Sequence, residues 1–246
     1  MGIKVLGINA SPRKYGNTAK LLEIALKAAK YEGADVERVD LYDYRIEPCI
    51  GCLCDDERCC RYPCVIDDDM RILLDKVLSS DALIIATPIY WYGPSGVLKN
   101  FIDRLTCLEH MIFIEGKCWA EGKVAGFIAV GNDTGAIQVI AYMMSVLNSF
   151  GIAIPPWALA YYTKSGDVLS DERALLDAAN VGRTVVLTAR ALKSLDVKQW
   201  YVTDYRSMLP NWCSEIQQLT EKLRESEWSK RKDLVTKLLP RQHDLS

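Results

Sequence analysis

The sequence has little histidine, no long apolar run and no large excess of either charge. Its 246 residues include only His110 and His243, which excludes a three-histidine metal site within one chain. No run reaches about eighteen apolar residues, so we expect no membrane-spanning helix. The 30 lysines and arginines against 32 acidic residues leave a net charge of −2, which predicts no nucleic-acid partner.

Two common nucleotide-binding fingerprints are also missing. The sequence has neither G-x-G-x-x-G nor G-x-x-x-x-G-K-[ST], which excludes the usual dinucleotide and P-loop signatures. The apolar run 3–8 is short, enters a polar loop and carries no leader cleavage pattern. We therefore expect a cytoplasmic protein, in which thiols stay reduced.

Half of the residues are apolar, and they fall into alternating strand-like and helix-like patterns. Short continuous apolar runs are typical of strands that are buried on both faces of a parallel sheet. Five such runs predict strands over 3–8, 36–41, 82–86, 124–130 and 152–160. Apolar residues at helical spacing predict helices near 22–29, 70–78, 97–105, 136–150 and 172–193. This alternation predicts an α/β protein with one parallel sheet covered on both faces.

The chain changes character near residue 196. We expect 1–195 to form one domain, with a cysteine-rich loop over 48–65. The strongly charged remainder, 196–246, has sparse apolar sites such as Ile216, Leu219 and Leu223. It predicts a helical C-terminal extension with a solvated face rather than a second enzyme domain.

The loop after the first strand has the features of a phosphate site. It reads Asn-Ala-Ser-Pro-Arg-Lys-Tyr-Gly-Asn-Thr over 9–18 and precedes a helix. Small residues let backbone N–H groups approach a phosphate, and the positive end of the helix dipole favours an anion. Ser11, Asn17 and Thr18 supply short donors, and Arg13 or Lys14 can add charge. The alternative interpretation is a capped turn with exposed basic residues.

The loop after the third strand is rich in aromatic residues. It reads Thr-Pro-Ile-Tyr-Trp-Tyr-Gly-Pro-Ser-Gly over 87–96. Aromatic faces and backbone N–H groups suit a planar heterocycle, although the same residues could simply cover the sheet edge. Asp103 and Arg104 follow in the next helix, and we expect them to be structural or to lie at a subunit contact.

These motifs occur in a characteristic order: Gly-Ile-Asn-Ala-Ser-Pro-Arg at 7–13, Gly-Asn-Thr at 16–18, Pro-Ile-Tyr-Trp at 88–91 and Lys-Asn-Phe-Ile-Asp-Arg at 99–104. The combination resembles the NADPH-dependent FMN reductase group of flavodoxin-like proteins, over about residues 3–190. The resemblance implies a doubly wound five-stranded parallel sheet in the order 2-1-3-4-5. It also implies FMN, with NAD(P)H or a ferredoxin as electron donor and a small molecule or a protein as acceptor.

The resemblance places the FMN phosphate on one loop and the isoalloxazine between two others. The phosphate-binding residues that it implies are Ser11, Arg13, Asn17 and Thr18. The residues that it implies beside the isoalloxazine are Pro88, Ile89, Tyr90, Trp91, Tyr92, Gly93, Gly131, Asn132 and Asp133. We expect no covalent catalytic residue, because the flavin carries the chemistry.

Six of the nine cysteines lie between Cys49 and Cys64. Four thiolates in one loop can hold a cluster or a zinc ion. Iron–sulfur flavoproteins of the same superfamily carry C-x2-C-x2-C-x4–7-C, and Cys49, Cys52 and Cys64 resemble its two ends. The resemblance implies a [4Fe–4S] cluster.

We expect the cluster ligands to be Cys49, Cys52, Cys59 and Cys64. The middle of the motif departs from the family pattern, because Cys54 stands one residue early for the third position. Other sets of four that include Cys54 or Cys60, a zinc site, and free or disulfide-paired cysteines are the alternatives.

Placing FMN and a cluster in one protein predicts an oxidoreductase that converts between two-electron and one-electron partners. One alternative is a simple NAD(P)H-dependent FMN or quinone reductase without a cluster. The other is a non-enzymatic redox sensor or scaffold. The resemblance also implies a homodimer or homotetramer, in which a cluster serves the flavin of a neighbouring subunit.

Overall fold

The computed structural model describes residues 2–197 and 199–238 of the chain. These residues form two compact units, one that ends at Trp200 and one that starts at Tyr201. Parts of the predicted C-terminal extension, Lys198 and 239–246 with His243, lie outside the described residues.

The first unit contains a single parallel sheet among its described residues. Its strands are β1 (Lys4–Asn9), β2 (Asp35–Asp40), β3 (Ala82–Pro88), β4 (Val124–Val130) and β5 (Leu159–Tyr162). They lie in the order β2-β1-β3-β4-β5, and every pairing is parallel. The predicted flavodoxin-like, doubly wound sheet is therefore confirmed.

Helices cover both faces of this sheet. They are α1 (Asn17–Tyr31), α2 (Met70–Ser79), α3 (Gly96–Arg104), α4 (Thr106–Glu109), α5 (Met111–Glu115), α6 (Ala136–Ser149) and α7 (Glu172–Lys193). Apolar residues of α1 and α7 form one core layer, and those of α2, α3, α4 and α6 form the other. Strand β4 lies between the layers and is buried along its whole length, as its unbroken apolar run predicts.

The predicted bounds of the fifth strand, 152–160, are wrong. Strand β5 begins only at Leu159, and the earlier segment contributes one isolated bridge, between Ala153 and Val124. Pro155 and Pro156 lie between these two points and have no N–H group to donate to a ladder. Pairing resumes where Phe127 donates its N–H to the Ala158 carbonyl at 2.8 Å.

Helices α1 and α7 approach closely because of one glycine. A Cβ atom on Gly182 would lie 2.0 Å from the carbonyl oxygen of Ala25. This contact packs the middle of α1 directly against α7, and α1 begins at the site described below.

The second unit contains a 3-10 turn, Asp204–Ser207, and the helix α8 (Leu209–Leu238). The rings of Tyr205 and Trp212 lie 5.8 Å apart between their centroids, which joins the turn to the helix. No helix in the described ranges is long and apolar enough to cross a membrane.

Candidate functional site

A cavity of about 400 Å³ opens at the carboxyl ends of β1, β3 and β4. It lies where the strand order reverses between β1 and β3, which is the usual ligand position in this type of sheet. Its lining residues are Ser11, Arg13, Tyr15, Gly16, Asn17, Thr18, Lys20, Pro88, Ile89, Tyr90, Val130, Gly131, Asn132, Gly166 and Asp167. The volume is in the range of small-molecule and cofactor sites.

The loop between β1 and α1 is fixed by its own hydrogen bonds. The buried Asn9 side chain accepts from the Ser11 N–H at 3.2 Å and donates to the Asp40 carboxylate at 2.5 Å. The Ser11 hydroxyl in turn accepts from the Arg13 N–H at 3.2 Å. The loop therefore holds its shape without a ligand, which lowers the entropy cost of binding one.

Helix α1 begins at the cavity wall with no side-chain cap from the described residues. The Asn17 side chain, which could fill that role, instead donates to the Gly166 carbonyl at 2.8 Å and accepts from the Val168 N–H at 3.2 Å. The first-turn N–H groups and the helix dipole thus favour an anion at this end of the cavity. Asn17 also ties the loop after β5 to this wall.

Two cationic side chains lie at the same wall. Arg13 is exposed, and Lys20 pairs with Asp167 at 2.6 Å. The four predicted phosphate ligands, Ser11, Arg13, Asn17 and Thr18, all line the cavity.

The aromatic loop after β3 is a tight two-residue turn. Tyr90 and Gly93 exchange backbone hydrogen bonds of 2.9 and 3.0 Å, and the two residues between them have positive φ angles. Positive φ strains residues other than glycine, and such strain is concentrated at functional sites. Pro88, Ile89 and Tyr90 line the cavity, whereas Trp91, Tyr92 and Gly93 do not. Trp91 stands at the tip of the turn with 95% of its side chain exposed.

The β1 and β3 loops are joined by a buried serine. Ser95 donates its hydroxyl to the Ala10 carbonyl at 2.8 Å, and its N–H donates to the Thr87 hydroxyl at 3.1 Å. These bonds fix the distance between the two walls of the cavity.

The loop after β4 forms the remaining wall. Gly131 and Asn132 line the cavity, and Asp133 instead accepts a hydrogen bond from the Thr134 N–H. Gly135 has a φ of +91°, and a Cβ atom there would lie 3.0 Å from Tyr92 Cδ1. Tyr92 therefore reaches across to this loop even though it does not line the cavity.

Sequence reasoning missed several lining residues. They are Tyr15, Gly16, Lys20, Val130, Gly166 and Asp167. The rule that ligands bind at the carboxyl ends of parallel strands points to the loop after β5 as well, and that rule alone could have found Gly166 and Asp167.

The cysteine-rich segment forms a separate hollow beyond the end of β2. Two 3-10 turns, Cys52–Cys54 and Glu57–Cys59, shape it. The cysteines that line this hollow, of about 20 Å³, are Cys49, Cys52, Cys60, Cys64 and Cys107. Cys59 does not line it, and its sequence neighbour Cys60 does. Cys54 is exposed.

The thiols of the hollow lie close enough to influence one another. Burial, with smaller effects of Cys64, Cys49 and Cys59, raises the pKa of Cys52. Burial also raises the pKa of Cys60 to about 12. These thiols keep their protons near neutral pH unless a bound cation stabilises the thiolates.

The described residues contain no group of three or more histidine, cysteine or acidic side chains placed for a single metal ion.

An ion pair anchors both ends of the cysteine segment to α3. Arg104 donates to both carboxylate oxygens of Asp68, at 2.7 and 3.0 Å, and to the Glu47 carbonyl at 3.0 Å. Asp68 also accepts from the Glu47 N–H at 2.8 Å. Asp103 takes no part, since it pairs with Lys99 at the surface. Of the adjacent Asp103 and Arg104, it is Arg104 that has the structural contact.

Comparison with known proteins identifies relatives of this chain. Residues 3–164 match the family described as NADPH-dependent FMN reductase. An iron–sulfur flavoprotein of Archaeoglobus fulgidus is 34% identical over 183 residues, which cover 74% of this chain and 79% of that protein. Iron–sulfur flavoprotein MJ1083 of Methanocaldococcus jannaschii is 30% identical over 198 residues, which cover 78% of this chain and all of that protein.

Solved structures show the same fold. A crystal structure of RosB with a bound intermediate, 8-demethyl-8-formylriboflavin-5'-phosphate, superposes with a TM-score of 0.69. That match covers 87% of this chain and 88% of RosB at 21% identity, and it supports the architecture of the first unit.

Proposed function

Because this chain belongs to the NADPH-dependent FMN reductase family and is therefore an FMN-dependent oxidoreductase, we propose that it also holds an iron–sulfur cluster and joins two-electron to one-electron partners. The observation that carries this proposal is the presence of two separate sites in the first unit. One is a cavity with an uncapped helix N-terminus, and the other is a hollow lined by cysteines.

The cavity fits FMN in size and in the arrangement of its polar groups. We place the phosphate at the start of α1, with Ser11, Arg13, Asn17 and Thr18 around it. The isoalloxazine then lies against the β3 loop, Pro88–Gly93, and the β4 loop with Gly131, Asn132 and Asp133. Within the β3 loop, Pro88, Ile89 and Tyr90 form the cavity wall, and the projecting Trp91 and Tyr92 are free to cover a bound ring.

The hollow fits a [4Fe–4S] cluster in the chemistry of its ligands. Cys49, Cys52 and Cys64 are ligands on the grounds of both spacing and position. Spacing predicts Cys59 as the fourth ligand, whereas the fold places Cys60 on the wall. We favour Cys60. The names of the A. fulgidus and M. jannaschii relatives support a cluster in this family.

Bound FMN would accept a hydride and release electrons one at a time, and the cluster would carry one electron per step. The protein itself binds both groups, keeps them at fixed positions and controls their exposure to water. We propose NAD(P)H or a ferredoxin as the donor and a small molecule or a protein as the acceptor. We also propose that the protein works in the reducing cytoplasm and assembles as a homodimer or homotetramer.

A second candidate function is a simple NAD(P)H-dependent FMN or quinone reductase. It is favoured by the finding that the described residues hold no group placed for a single metal ion. In that case the cysteine segment has only a structural role.

Metal and flavin analysis of anaerobically purified protein tests the proposal. We expect one FMN per chain with about four iron and four sulfide atoms. Cys60→Ser should lower the iron content strongly, and the neighbouring variant Cys59→Ser should keep it. The exposed Cys54→Ser serves as a control. Loss of iron in Cys59→Ser with retention in Cys60→Ser would assign Cys59, the ligand that spacing predicts. FMN without iron in the parent protein would favour the simple reductase.

A further inference from the structure

Arg104 is a fully buried arginine at the end of α3, with 2% of its surface exposed. It is one of the residues that line the cysteine hollow, together with Cys60, Cys64 and Cys107. Its partner Asp68 has no exposed side-chain surface. A buried arginine requires a specific reason, because charge is costly to remove from water.

The ion pair with Asp68 uses only some of the hydrogen-bond donors of the Arg104 guanidinium. Asp68 accepts both Arg104 Nη groups and the N–H groups of Glu47 and Met70. The carboxylate therefore has all the donors it needs without Nε. The Arg104 Nε–H has no hydrogen-bond partner in the described part of the chain. A buried N–H without an acceptor is destabilising, which makes it a feature to be explained.

Among the cysteines that line the hollow with Arg104, Cys64 lies nearest in sequence to Asp68, which holds the guanidinium. Its sulfur is therefore the acceptor that we assign to the Nε–H. A neutral thiol is a weak acceptor, and a thiolate is a much stronger one. An Nε–H beside this hollow therefore suits a cysteine sulfur that carries negative charge, as an iron-bound thiolate does.

We propose that Arg104 Nε–H donates a hydrogen bond to the Cys64 sulfur when that residue is a cluster-bound thiolate, and that this bond raises the reduction potential of the cluster. The inference rests on the proposed function. The thiol proton leaves to solvent as iron binds, and Arg104 stays protonated throughout. Arg104 is then a positioning residue, held by Asp68, that favours the reduced and more negative cluster.

The test compares Arg104→Lys with Arg45→Lys in the reconstituted holoprotein. Arg45 is a matched control, because it holds the same acidic segment through the Asp67 carbonyl at 2.6 Å but does not line the hollow. Lysine keeps the charge opposite Asp68 and removes Nε. At a fixed solution potential, we expect Arg104→Lys to shift the oxidised-to-reduced ratio of the cluster about tenfold toward the oxidised form. This corresponds to a reduction potential about 59 mV more negative. Arg45→Lys should leave the potential unchanged.

A double variant keeps the test decisive if Arg104→Lys does not fold. Arg104→Met with Asp68→Leu removes both charges together, which proteins tolerate better than one unpaired charge. FMN content confirms folding, and the same negative shift is expected. If every folded variant keeps the cluster potential of the parent protein, the proposed role of Arg104 is wrong, and the proposed cluster is unaffected. A parent protein that takes up no iron would overturn both this inference and the cluster.

Discussion

The proposed flavin cavity and the cysteine hollow are two separate sites of the first unit, and they are held in place differently. The cavity walls are cross-linked by hydrogen bonds between loops, such as Ser95 to Ala10 and Asn17 to Gly166. The backbone hydrogen bonds inside the cysteine segment are local, such as those that close the turns at Cys52–Cys54 and Glu57–Cys59. The cavity walls are therefore joined directly to one another, while the cysteine segment is joined to the rest of the domain at its ends and through a few side chains, such as His110 to the Glu57 carbonyl at 2.9 Å.

This difference predicts different responses to the loss of a ligand. The proposed FMN cavity should keep its shape when empty, because hydrogen bonds already join its loops to one another. A cysteine segment stabilised by a cluster should lose order when the iron is removed, since metal binding then supplies folding energy. The four predictions below test this contrast.

The largest effect is expected from Cys52→Ala. Removal of this ligand should abolish iron binding and expose 49–64 to a protease, while FMN stays bound because the cavity does not depend on that segment. Iron analysis, flavin absorbance and mapping of the cleavage sites measure the three effects. Parallel loss of FMN and iron would show that the two sites are not independent.

Gly135→Ala should damage the flavin region without affecting the cluster. A side chain at this positive φ is strained and contacts Tyr92, so we expect the free energy of unfolding to fall by about 1–2 kcal/mol. Thermal unfolding measures the change. Gly96→Ala is the control, because nothing lies within 4 Å of its added Cβ. Equal stability of the two variants would contradict the account of the β4 loop.

Asn17→Ala should weaken FMN binding about tenfold, because it removes two hydrogen bonds worth about 0.5–1.5 kcal/mol each. Flavin fluorescence titration measures the affinity, and the iron content should not change. Asn180→Ala removes an amide on the surface of α7 as a matched control. An affinity equal to that of the control would mean that Asn17 does not organise the cavity.

The smallest effect on either site is expected from Lys123→Met, at the opposite edge of the sheet. Burial lowers the pKa of Lys123 to about 8, and its Nζ donates to the Leu78 and Ser80 carbonyls at 2.9 and 2.7 Å. The unfolded chain, with an ordinary lysine pKa, binds more protons between about pH 8 and 10.5. This residue therefore makes the protein more stable as the pH rises through that window.

The variant should lose this contribution and keep normal FMN and iron contents. The stability of the parent relative to Lys123→Met should rise by up to about 1.4 kcal/mol per pH unit in the window. Denaturant unfolding at several pH values measures it. If the free energies of unfolding of the parent and of Lys123→Met change in parallel from pH 7 to 10.5, the low pKa of the buried lysine is contradicted.

Much of the fold could be predicted because buried parallel strands are continuous apolar runs. The predicted strand 124–130 and helix 172–193 agree with β4 and α7. The start of β5 could not be predicted from its apolar run, since Pro155 and Pro156 remove the ladder donors within it.

The candidate site could be predicted where its residues directly follow the carboxyl ends of neighbouring parallel strands. Ser11, Ile89 and Gly131 meet because they follow neighbouring parallel strands. Trp91 projects outward because the two-residue turn between Tyr90 and Gly93 places it at the tip. Residues Cys59 and Cys60 are adjacent, and only the end of a 3-10 turn decides which of them lines the hollow.

An anaerobic reductive titration of the purified holoprotein tests the central claim most directly, because it counts the electrons that each chain accepts. FMN and a [4Fe–4S] cluster together predict uptake of about three electrons per chain, with loss of both the flavin and the cluster absorbance. Uptake of about two electrons, with flavin bleaching alone and no iron in the sample, would contradict it.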